Sequence, residues 1–333
     1  MKTVAYSCPF VPPEWIAAHG LRPRLLVPAS LGTGAESGPT AGLCAFARAA
    51  AQAAVEDGAI DAYVATSLCD QRRRATELAA RHSKKPVFML HVPAACRAPG
   101  AEAMYIAELQ RLGRFLVRLG GKEPSRDELI LAMRRYSVAR ASLAATSATI
   151  PARQAAEAYW NLCENGPAGD APPWLWAVQR EGKPKPPGVP ILLLGGPLTR
   201  EGLVVLDCIE QAGGCVVVNA TENGPATAAA PLPPVHTKAS GAQFLMRTYY
   251  RHIPHPFSRP NDWLYEWLAA TLTKCHARGI LFIRHVWCDL WHAELARLKA
   301  CSPVPVVDLD LAAGDDTAAR VGGRVQALME MLA

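Results

Sequence analysis

The sequence predicts an α/β protein in which two doubly wound parallel-sheet lobes flank a helical segment. Three observations predict it. Short apolar runs alternate with helical stretches towards both ends of the chain. From Ala101 to Trp160 the periodicity is helical only. A Cys-Asp pair follows a buried-type run in each half, at Cys69-Asp70 and at Cys288-Asp289. With 333 residues, the chain can build more than one core. The expected division is an N-terminal lobe over 1–100, a helical segment and linker over 101–185, and a C-terminal lobe over 186–333.

In order, residues 3–7 read as a strand that ends at Cys8-Pro-Phe-Val-Pro12. Pro13 opens a short helix that runs towards Gly20. Arg24 to Val27 is the next strand, and Gly32 to Gly42 a loop of Gly, Ser, Thr and Pro. Cys44 then leads the Ala-rich stretch Ala45 to Asp57, which has high helix propensity throughout. Ala62 to Leu68 is a buried-type strand, Cys69 stands at its junction with a charged helix, and Pro86 to Val92 is a further strand. In the middle, Tyr105, Leu109, Leu112 and Leu116 recur at helical spacing, and Ser125 with Glu128 has the spacing of a capping box. Arg134, Arg135, Arg140 and Arg153 read as a solvated face. Glu164 to Gly188 is rich in Gly and Pro and reads as a linker.

The second alternation begins with the apolar run Val189 to Leu194 and the pair Gly195-Gly196. A helix from Thr199 to Ala212 follows, then the strand Cys215 to Val218 and a low-complexity loop over Ala220 to Pro234. Phe244 to Tyr250 and Asp262 to Ala277 read as helical, Gly279 to His285 as a strand, and Leu290 to Lys299 as a helix. Val304 to Leu309 is the last strand, ahead of an amphipathic helix from Thr317 to Leu332.

Composition excludes several classes. A charge of +6 is spread through the helices and is not interleaved with aromatics as in single-strand nucleic-acid binders, so no nucleic acid is expected. No stretch approaches the roughly 20 apolar residues of a membrane span, and Met1 to Cys8 carries no secretory apolar segment. The expected setting is cytoplasmic and reducing, and the ten cysteines are read as thiols or metal ligands. There is no Cys-x-x-Cys pair, no Gly-x-Gly-x-x-Gly and no Walker loop, so zinc-finger, thioredoxin, dinucleotide and kinase readings are poor.

Cys8, Cys44, Cys69 and Cys288 fall at expected helix beginnings, where free N–H groups and the helix dipole favour a thiolate. A thiolate is what a metal or an iron–sulfur cluster requires. The other six cysteines suit core or incidental thiols. Taken alone, the Cys69 stretch suits a buried free cysteine slightly better. The matching Cys-Asp pairs shift that balance, because two strand ends facing each other across an interlobe cleft can bring thiolates to one centre.

These residues in this order resemble a family: the cluster-bearing subunits of 2-hydroxyacyl-CoA dehydratases and benzoyl-CoA reductases, with their double-cubane relatives. The resemblance covers Tyr6-Ser-Cys8-Pro-Phe-Val-Pro12-Pro-Glu14, Cys44-Ala-Phe-Ala-Arg48, Thr66-Ser-Leu-Cys69-Asp70 with Arg72 and Arg73, Ile209-Glu210-Gln-Ala-Gly213, Cys288-Asp289 and Pro305 to Asp310. It implies an iron–sulfur cluster of the [4Fe–4S] type, single or a double cubane, held in the interlobe cleft by Cys44, Cys69 and Cys288. Cys8 matches a motif cysteine that lines the site without ligating. Three protein ligands leave one iron open for chemistry. In the family, a separate ATP-dependent iron–sulfur activator supplies one low-potential electron, which passes to the thioester of an acyl-CoA substrate and gives a ketyl radical. A related sister subunit or a homodimer is implied as partner, in anaerobic metabolism. The chain starts almost directly at the first motif, where many members carry a helical extension. That suits the smaller subunit of a heterodimer, or a protein with a non-CoA substrate.

Two alternatives stand beside this reading. One is a double-cubane reductase of small non-CoA substrates. The other is a non-catalytic α/β module that binds zinc through the three cysteines, with His285 as a fourth ligand.

Overall fold

A computed structural model describes residues 1–32, 41–167, 185–229, 241–250, 253–314 and 317–333. The expected loop over Gly32 to Gly42 and the linker over Glu164 to Gly188 lie largely outside the described residues, as does the end of the loop expected over Ala220 to Pro234, whose first two residues instead close a strand.

The first sheet is parallel and contains β1 (Thr3–Tyr6), β2 (Arg22–Leu25), β3 (Ala62–Thr66) and β4 (Val87–Leu90), in the order β2-β1-β3-β4. Its central strands β1 and β3 are buried along their whole length, as a sheet covered on both faces requires. The face carrying Val4, Tyr6 and Val64 packs in the same core as α1 (Pro13–Ala18) and α4 (Ala101–Arg118). The opposite face, with Ala5, Tyr63 and Ala65, takes α2 (Ala45–Glu56) and α3 (Asp70–His82). Alanines at 47, 50, 51 and 54 line α2 on that side, so the helix can lie close to the sheet. Strand β2 starts two residues earlier than expected and contains Pro23. It is an edge strand, where a missing N–H is tolerated.

The second sheet repeats this plan. Strands β5 (Val189–Gly195), β6 (Gly214–Thr221), β7 (Gly279–His285) and β8 (Val306–Leu311) are parallel in the order β6-β5-β7-β8. Helices α7 (Val204–Gln211) and α11 (Thr317–Leu332) share the core of one face. Helices α9 (Asp262–Cys275) and α10 (Asp289–Cys301) cover the other through Leu264, Leu268, Trp291 and Leu298. A 3₁₀ turn over Glu201–Leu203 precedes α7, and α8 (Gly241–Leu245) runs into one π turn over Met246–Tyr250. The two parallel sheets and the expected alternation are thus present.

Between the sheets in sequence come α4, α5 (Arg126–Ser147) and α6 (Ala152–Asn165). Ser125 and Glu128 form the expected capping box at the start of α5. The arginines of this segment divide. Arg134 and Arg135 are exposed, as expected for a solvated face. Arg140 is buried, and its guanidinium meets the fully buried carboxylate of Glu14 on α1 and the Tyr249 hydroxyl at 2.9 Å. Tyr249 in turn donates to Glu14 at 2.6 Å. An isolated buried charge is far too costly to persist, so these groups are held as a closed set.

In each sheet the order reverses between its first and third strands, and ligands of open α/β sheets collect beyond the strand ends at such points. Cys8 and Cys69 follow β1 and β3; Pro197 and Cys288 follow β5 and β7.

Candidate functional site

Cys69 and Cys288 arise from one local design. Each sits after a third strand and a two-residue turn, and each is the N-cap of the next helix, which begins with Asp70 or Asp289. Cys44 is the N-cap of α2. Its backbone N–H donates to Gln71 Oε1 at 3.0 Å, which ties the start of α2 to the start of α3. Cys8 lies in the loop after β1, five residues before α1 begins. It is buried but does not begin a helix, contrary to the sequence expectation.

Thiol electrostatics relate the same residues. Cys44 feels Cys69, and Cys288 feels both Cys44 and Cys69. Across the two sheets, the rings of Phe46 and His285 lie with centroids 5.5 Å apart. Among the described residues no set of three His, Cys, Asp or Glu side chains is gathered tightly enough to hold a single metal ion.

The helix starts do supply polar hydrogens. N–H groups of Phe46 and Ala47 favour the Cys44 thiolate, those of Gln71 and Arg72 the Cys69 thiolate, and that of Trp291 the Cys288 thiolate. None is close enough for a full cap hydrogen bond. Burial outweighs them: it pushes Cys44 up to about 11 and raises Cys69 and Cys288 as well. Burial therefore overrides the tendency of the helix starts to favour thiolates. In the protein by itself these groups are thiols, and a metal must displace their protons.

Sequence reasoning missed the central charged pair. Arg72, one turn into α3, is buried, and its guanidinium donates to the Ser7 carbonyl at 3.1 Å and to the Glu222 carboxylate. It also lies 5.3 Å from the centre of the Phe46 ring. Glu222, just past β6, accepts from Trp291 Nε1 at 2.8 Å and faces His255 Nε2 at 3.3 Å. His255 Nδ1 accepts the Phe257 N–H, so the ring hydrogen stands on Nε2, towards Glu222. Burial opposes both charges of the pair; each partner outweighs it, holding Glu222 well below the usual carboxylate range and Arg72 above its ordinary value. A glutamate at the end of an otherwise apolar strand was the available signal for this pair.

His285 is fully buried, and burial brings it down to about 4. Its Nε2 lies 2.7 Å from the Pro197 carbonyl, and a carbonyl can only accept, so the hydrogen is on Nε2. Nδ1 is left without a partner. The turn before Cys288 closes through a Cys288 N–H to His285 carbonyl bond of 3.0 Å. It places Trp287 at φ 65° with its indole 54% exposed, beside the thiol. A small, mostly apolar cavity of about 30 Å³ opens next to Glu222 and Ser7 and reaches Arg140, Tyr249 and Cys163.

A family model described as 2-hydroxyglutaryl-CoA dehydratase, D-component, matches residues 8–332. The chain belongs to that family. The match takes in every motif on which the resemblance rests except the first two residues of the earliest, Tyr6 and Ser7. This D-component relative also aligns with two solved structures from Candidatus Liberibacter asiaticus, a manganese-bound periplasmic metal-binding protein and a point variant of it. Each is 10% identical with a TM-score of 0.26, and the alignments cover 99% and 100% of this chain, respectively, and all of the other. So remote a likeness carries no argument. No curated protein matches the chain. No helix among the described residues is long and apolar enough to cross a membrane.

Proposed function

We propose that this chain is the cluster-bearing subunit of an ATP-activated, low-potential redox enzyme of the 2-hydroxyacyl-CoA dehydratase type. In this reading Cys44, Cys69 and Cys288 hold an iron–sulfur cluster of the [4Fe–4S] type. The supporting observation is that three thiols, each at the head of a different helix, act on one another electrostatically, and that they are the three the family motifs select.

The donor set suits such a group. A cubane carries its irons at separate corners, so its ligands stand further apart than those of one ion. Three thiols supply the donor type that such a centre takes, with one corner left to another ligand. In the alternative reading a zinc ion would take His285 through Nδ1, the ring nitrogen that Pro197 leaves free. When bound, the cluster supplies one-electron chemistry at low potential to an acyl-CoA substrate.

The chain's own residues do the rest. Cys44 and Glu222 are buried and Arg72 nearly so, which keeps water from the inner side of the thiols. Cys69 and Cys288 are partly exposed, so ligand and electron can enter from their side. Gln71 and Arg72 fix the loops that carry Cys44 and Cys8. Ten free cysteines suit a reducing cytoplasm. Membership of a component family suits a sister subunit or homodimer, with an ATP-dependent activator docking transiently.

The test is anaerobic purification with iron, sulfide and metal analysis and an absorption spectrum. The expected outcome is a brown protein that loses its iron in Cys44→Ser, Cys69→Ser and Cys288→Ser but keeps it in Cys208→Ser. A colourless protein with one zinc would sink the reading. Twice the iron of a single cubane would favour the double-cubane reductase of non-CoA substrates.

A further inference from the structure

The Arg72–Glu222 pair is unequally placed with respect to the three thiols. Arg72 follows Cys69 by one helical turn, bonds the carbonyl of Ser7 and lies over Phe46, two residues from Cys44. Glu222 bonds Trp291, three residues beyond Cys288 in the first turn of α10. The positive end of the pair therefore faces the thiols of the first sheet, and the negative end the thiol of the second. Both side chains are buried, where charges are poorly screened.

We infer, resting on the cluster reading above, that Arg72 and Glu222 set the reduction potential of the centre held by Cys44, Cys69 and Cys288, and that they do so in opposite directions. Reduction adds one electron, supplied by an external donor, and so one negative charge. Arg72 stabilises that added charge and raises the potential; Glu222 opposes it and lowers the potential. Neither residue touches substrate, and both are positioning residues. Charge and hydrogen bonding around the sulfurs are among the levers that tune such centres.

The experiment is a dithionite titration, followed by electron paramagnetic resonance, of whole anaerobic protein with iron and sulfide measured first. At a fixed applied potential, the ratio of reduced to oxidised centre should fall about tenfold in Arg72→Met, equivalent to about 59 mV for one electron. It should rise by a similar factor in Glu222→Gln and stay near the parent value in Arg72→Lys. The double variant Arg72→Met/Glu222→Gln should fall between the two single ones. Arg72→Met leaves the buried Glu222 carboxylate with only Trp291 and His255 as partners and can fail to fold. In that event Glu222→Gln and the double variant carry the test, the double lying below Glu222→Gln. A purely structural pair gives shifts of one sign or shifts under about twofold, and either result overturns the inference. Iron-free parent protein overturns the cluster reading and this inference together; iron-loaded variants with unmoved potentials overturn this inference alone.

Discussion

At the scale of single residues, the surprises are charges and one backbone angle. Arg140 looked like part of a solvated face because its neighbours Arg134 and Arg135 are exposed; nothing local marks a position that turns inward to meet Glu14. Glu222 was hidden for the same reason, since its partners Arg72, His255 and Trp291 come from three distant stretches. The place of Cys44, Cys69 and Cys288 at helix beginnings was legible, and each is an N-cap. Their protonation was not, because desolvation depends on what the fold packs around them. Trp287 at φ 65° adopts a conformation that costs a side chain roughly 1–2 kcal/mol. Its indole is largely exposed, so few contacts offset that strain. Trp287→Asn should therefore raise stability by about 1 kcal/mol, read as a higher denaturant midpoint at unchanged slope. An unchanged or lower midpoint would show that the indole makes contacts that repay the strain.

At the scale of elements, the strands and helices were mostly legible, since period and composition are local properties. The misplaced one is β2, which begins at Arg22 and not Arg24 and takes in Pro23, tolerated because the strand lies at an edge. The close approach of β5 to β7 was not legible at all. Gly195 ends β5 at φ 130°, and a Cβ there would stand 1.9 Å from the Ile283 carbonyl oxygen. Backbone cannot yield as a flexible side chain does. Gly195→Ala should cost about 3 kcal/mol or more, seen as a large fall in melting temperature or a loss of soluble protein. Gly196→Ala is the control: its Cβ would press only on the edge of the His285 ring, at 3.2 Å, and the loss should be smaller. Equal effects would show that the strand approach is not what fixes Gly195.

At the scale of the whole molecule, α/β alternation at the ends and helices in the middle could be read from the sequence, whereas the ties between these parts could not. The Glu14–Arg140–Tyr249 set joins α1, α5 and the π turn after α8. Arg140→Met leaves the Glu14 carboxylate buried and unpaired, and should cost about 3–5 kcal/mol. Glu14→Gln/Arg140→Met removes both charges and should recover most of that loss in the same denaturation measurement. Additive losses in the double variant would show that the two residues act independently.

The repeated strand order has one further consequence. A chain that folds twice on one plan would be expected to present its donors in matched pairs, and Cys69 with Cys288 is such a pair. The helix leading to the third strand breaks the match: it begins at Cys44 in the first half and at Asn261 in the second. The doubled architecture thus yields three helix-capping cysteines and not four, and in the proposed cluster site three ligands around a four-cornered centre would leave one corner for a reactant.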